Sequence, residues 1–240
     1  MLTINNSADI YDLGFKGAIV LVIGSIVSLF LPLAAPDADT QAAALWLNQE
    51  AGAYLFGWLN QLMLVFAIAV TLAVAGWAIY QTAPLRAITV WSFTLISTGV
   101  FFITKFFALW GVPLMAKAIA AESAVQPEAT AALLALAPNE SFGLLGSLDW
   151  LGFWIYGLIG ILMFRPLFRG ALSAKIAAGS LLLFGVVLPL LFTATLIDIL
   201  GQDEFGEIAF STAALLTVAG VAFAIFFRSE RDLARPSENV

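Results

Sequence analysis

The chain has 240 residues, 62% of them hydrophobic and 11% charged, with a formal net charge of −6 and a mean hydropathy of +0.99. A soluble domain carries roughly 25% charged residues. A water-soluble fold could not cover this much apolar surface, so the solvent for most of the chain must be lipid. Disorder and a disulfide scaffold are excluded by the same figures, and the acidic balance speaks against nucleic acid as a partner.

In chain order, six stretches approach the ~20 apolar residues that a hydrocarbon core about 30 Å thick requires. They are Phe15–Ala35, Leu55–Ile79, Ala87–Trp110, Ser147–Phe164, Ile176–Ile197 and Ile208–Phe227. Leu62–Ala75 and Leu181–Leu191 are apolar without alternation, which fits lipid-buried helices and not barrel strands. An all-α, six-span helix bundle forming one membrane domain is therefore predicted. Pro84, Pro113, Pro127, Pro138 and Pro166 fall outside the stretches, whereas Pro189 lies inside one and predicts a kink. The first stretch ends Ala34-Ala35-Pro36, like a cleavage site, but it exceeds the roughly 7–15 apolar residues of a signal peptide. A retained helix is expected there. Thr40–Glu50 and Glu128–Ala137 read as short helices that lie on the membrane surface or cap the bundle.

Orientation follows from Lys and Arg. Lys16, Arg86, Arg165, Arg169, Lys175, Arg228, Arg231 and Arg235 fall on one side, against Lys117 and the near-terminal Lys105 on the other. That bias places both chain ends, including a tail from Arg228, in the cytoplasm of a bacterial inner membrane. The opposite side carries Asp37, Asp39, Glu50, Glu122, Glu128, Glu140, Asp203, Glu204 and Glu207. These carboxylates keep its loops solvated, or concentrate cations. Trp58, Trp110, Trp150 and Trp154 sit towards that face, and Trp77 and Trp91 towards the inner one, as an aromatic belt.

The chain has no histidine and no cysteine. Imidazole bases, Ser–His dyads, thiolate metal sites and histidine-ligated haem are excluded, and no cofactor or metal is expected. What remains is a set of polar residues inside apolar segments, where charge is costly and raises a functional hypothesis. Lys105 shares a helical face with Thr94 and Thr98. Asn60 and Gln61 lie in the outer third of the second stretch, Asp149 opens the fourth and Asp198 closes the fifth. By depth these residues can meet near the outer end, with Lys105 paired to Asp149 or Asp198. Alternatively, Lys105 snorkels to headgroups and Asn60 and Gln61 only bond between helices. The hairpin Arg165-Pro166-Leu167-Phe168-Arg169-Gly170 with Lys175 is a basic cluster suited to a topology anchor or to anionic lipid headgroups.

Gly160-Ile161-Leu162-Met163-Phe164-Arg165, a short loop, and Lys175–Gly179 opening the next helix resemble a large group of bacterial six-helix membrane proteins classed as a domain of unknown function. The resemblance covers about 35 residues and implies a six-helix fold, with no activity and no site residues. Two functions are expected from the residues. The first is a non-catalytic accessory, assembly or partner-binding subunit, with a membrane-protein partner or a second copy beside the bilayer. The second is a small transporter or channel for a cation or small polar solute, built around Lys105.

Overall fold

A computed structural model describes residues 4–35, 39–136 and 143–235, and among these every regular element is helical. The helices are α1 (Ile4–Ser28), α2 (Thr40–Gln49), α3 (Ala51–Tyr80), α4 (Pro84–Ala120), α5 (Gln126–Leu136), α6 (Leu144–Leu167), α7 (Leu172–Leu196) and α8 (Gln202–Ala234). Six of them, α1, α3, α4, α6, α7 and α8, are long and apolar enough to cross a membrane. Only 22% to 50% of the most apolar window of each is buried within the protein. The remainder, including Leu95, Phe210 and Leu190, is bare apolar surface that only a lipid solvent tolerates.

Several ends differ from those expected. Helix α1 begins at Ile4, ahead of the apolar run, and its polar first half carries an i,i+4 pair between Asp12 and Lys16 at 2.7 Å. It stops at Ser28, well before Ala35. Leu29 and Phe30 turn back to the carbonyls of Ile26 and Val27 ahead of Pro32, which disfavours helix in the residue before it. Helix α4 does not end at Trp110 but runs through Pro113 to Ala120. At 1.5 Å per residue it is about 55 Å long, well beyond the hydrocarbon thickness. Pro166 also lies inside a helix, near the end of α6. The residue four before it, Leu162, lacks its usual helical donor, and Arg86 of α4 donates to that carbonyl at 3.2 Å. Helix α8 continues past Phe227 because Arg231 is held by Asp12 at 2.9 Å. Most of the expected tail is therefore helical, and its last residues, 236–240, lie outside the described ones, as do Asp37, Pro138 and Glu140.

The chain divides into two compact units. One contains the chain up to Ile23, Phe66–Ser97 and the chain from Phe153 on. Its helices approach through glycine. A Cβ on Gly157 would sit 2.8 Å from the Cα of Gly185, so α6 and α7 touch backbone to backbone. Gly76 similarly makes room for Trp91, whose indole N–H donates to the Ala73 carbonyl at 2.9 Å. Near the chain ends, Tyr11 of α1 packs on Phe227 of α8, and the Arg231 guanidinium lies over the Phe15 ring.

The other unit contains Gly24–Val65 and Thr98–Gly152. Here the two short helices cover the ends of α3 and α4. Asp39 caps α2 by accepting from the Gln41 and Ala42 amides. Ala44 and Leu47 of α2 and Ala129 and Leu133 of α5 bury against Tyr54, Trp58, Ala108, Val112, Ala116 and Ile119. These four side chains turn to protein, while Leu45 of α2 and Leu134 of α5 stay exposed.

Candidate functional site: a buried ion pair in an apolar helix

Helix α4 is uncharged from Ala87 to Thr104, and then places Lys105 in the second unit. The lysine is buried in protein, only 5% exposed. An unpaired ammonium in such surroundings would be very costly. Its partner is Asp149, on the second turn of α6, whose Oδ2 accepts from Lys105 Nζ. The other oxygen, Oδ1, accepts from the Thr104 hydroxyl at 2.6 Å. That single hydroxyl proton has a second acceptor within reach, the Phe101 carbonyl at 2.9 Å, so Thr104 serves one at a time.

Aromatic rings close the site. Lys105 Nζ lies 5.1 Å from the Trp58 ring centroid and 5.5 Å from that of Phe101, within cation–π range. Each ring is positioned by its own local reason. The Trp58 indole N–H donates to the Leu33 carbonyl at 3.0 Å, and Gly57 lets the Pro32–Leu33 backbone approach that closely. Phe101 lies on α6 because Gly152, one turn beyond Asp149, has no side chain; a Cβ there would sit 2.6 Å from the ring. Tyr54 fixes α3 against α4 by donating to the Ala108 carbonyl at 3.0 Å.

Asn60 and Gln61 form a separate knot with α1. The Asn60 amide donates to the Gly24 carbonyl at 3.0 Å and to the Ser28 hydroxyl at 2.8 Å, and Gln61 donates to Ser28 at 3.0 Å. Ser28 passes its own proton to the Gly24 carbonyl at 2.9 Å. Ser28 therefore uses one donor and two acceptor positions, its full capacity.

The expected cluster thus resolves into parts. Lys105 and Asp149 meet; Asn60 and Gln61 meet Ser28. The Thr94 hydroxyl turns back to the Val90 carbonyl at 2.7 Å, and Thr98 is half-buried on α4. Asp198 is exposed in the turn after α7, with left-handed backbone (φ 56°), and the carboxylate that Lys105 takes is Asp149. Sequence reasoning missed Thr104, Phe101, Ser28 and Gly152. Arg165, Arg169 and Lys175 are exposed around the α6–α7 turn.

No known protein family, curated protein or solved structure matches the chain.

Proposed function

We propose that this chain is a multi-pass protein of a bacterial inner membrane, with both ends cytoplasmic, that acts without catalysis as a partner-binding or assembly subunit. The Asp12–Arg231 pair supports ends that share a side, since it joins the start of α1 to the end of α8. The arginine and lysine bias supports the cytoplasmic assignment. The observation that carries the functional reading is how the polar groups of the second unit are used. Lys105, Asp149, Thr104, Asn60, Gln61, Tyr54 and Trp58 all bond to another segment of the same unit. Such cross-ties favour a fixed platform. The short helices α2 and α5 leave Leu45 and Leu134 exposed on it, as a face for a membrane partner or a second copy. Photo-crosslinkers at Leu45 and Leu134 in intact membranes test this. One defined adduct at both positions is expected; lipid adducts alone would refute the platform.

A second reading is a transporter or channel for a cation or small polar solute past Lys105. It is favoured by one feature, a charged pair kept inside an apolar segment. Flux of alkali cations into proteoliposomes, lost in Lys105→Met, would support it and displace the first.

A further inference from the structure

The α6–α7 turn combines charge and apolar surface in a way neither functional reading uses. Arg165 and Arg169 are four residues apart, and Lys175 follows in the first turn of α7; all three are exposed. Among the described residues none of the three is in an ion pair, whereas Lys16, Lys105 and Arg231 all are. Interleaved with them are Phe168, Leu172 and Ile176, exposed by 48%, 73% and 46%. Phe168 is held there by its neighbour Phe164, with ring centroids 4.8 Å apart.

A purely aqueous turn has no use for three exposed apolar side chains, and hydrocarbon has no use for three unpaired cations. The combination fits the boundary layer, where chains meet phosphodiesters. We infer that the α6–α7 turn is a binding site for anionic phospholipid headgroups, with Arg165, Arg169 and Lys175 taking the phosphates and Phe168 and Leu172 seated among the upper acyl carbons. Arginine suits the task because its planar fork grips two phosphate oxygens at once. Arg86, in the first turn of α4, is committed to the Leu162 carbonyl and is not part of the set.

The test uses the full-length protein in nanodiscs and in mild detergent. Retained lipid is counted by native mass spectrometry after exposure to phosphatidylglycerol or phosphatidylcholine. Each cation near an anionic surface contributes about fivefold in affinity, so R165Q/R169Q/K175Q should weaken phosphatidylglycerol retention by roughly 100-fold. Phosphatidylcholine retention should not change. R228Q, which removes a different exposed cation on α8, should have no more than a fivefold effect. Unchanged retention in the triple variant, or an equal loss in R228Q, overturns the assignment. If the triple variant does not fold, the unaltered protein still decides. Raising salt from about 0.05 to about 0.5 M should strip phosphatidylglycerol selectively. Salt-independent retention, equal retention of the two lipids, or a protein partner occupying the turn would each contradict it.

Discussion

Neutralising Asp149 is the sharpest perturbation of the second unit. An ammonium and a carboxylate within about 4 Å attract by about 4 kcal/mol at an effective dielectric near 20. Removing both from water costs several kcal/mol per ion, so the intact pair is worth close to nothing net. A single substitution exposes only the cost. In Asp149→Asn the Lys105 side chain, 7% exposed, loses its carboxylate partner, and the Trp58 and Phe101 faces return only about 1 kcal/mol. A loss of about 3 kcal/mol is expected, the low end for a broken buried pair. Lys105→Met should cost less, about 1–2 kcal/mol, because Asp149 is 23% exposed and keeps the Thr104 bond. Lys105→Met with Asp149→Asn should return to within about 1 kcal/mol of the unaltered protein. Equilibrium unfolding in mixed micelles of increasing dodecyl sulfate content measures all four corners of the cycle. The reasoning fails if Asp149→Asn is neutral, or if the two losses simply add.

Two further outcomes follow from particular contacts. Arg86→Met should lose about 1–2 kcal/mol by orphaning the Leu162 carbonyl; in a Pro166→Ala background, where the backbone N–H returns, the same change should cost clearly less in that unfolding assay. Gly185→Ala should destabilise by about 1–3 kcal/mol, since its Cβ would lie 3.0 Å from the Cα of Gly157. Gly179→Ala on the same helix should be neutral or stabilising, because nothing lies within 4 Å of the added carbon.

The spans were legible because hydrocarbon imposes one dominant rule, a long uncharged run, and α3, α6 and α7 ended within a few residues of where that run did. Ends failed where a different interaction set them. Helix α8 extends because Arg231 finds Asp12 more than two hundred positions away in sequence, and hydropathy cannot register that. Helix α4 continues through Pro113 because a proline costs a helix only one bond and a local clash, which flanking turns of Val112, Met115 and Ala116 packed into the second unit's core can absorb. Lys105 and Asp149 stood out as charges in apolar sequence. Thr104 did not, because shared-face spacing pointed to Thr94 and Thr98 while the contact runs sideways to another helix. Ser28 carries no signal in the sequence; its hydroxyl matters only once α3 brings Asn60 and Gln61 to it. Arg86 had a legible partner in principle, the carbonyl four residues before Pro166, but choosing between candidate arginines needed the tertiary fold.

The absence of cysteine from the sequence allows the six-crossing arrangement to be measured directly. Single cysteines at Gly170, Ser229, Ser123 and Gly201, probed with a membrane-impermeant maleimide in intact cells and in inverted vesicles, report sidedness. Six crossings with both ends cytoplasmic require Gly170→Cys and Ser229→Cys to react only in inverted vesicles, and Ser123→Cys and Gly201→Cys only in intact cells. Labelling of positions 170 and 201 from the same side would contradict it.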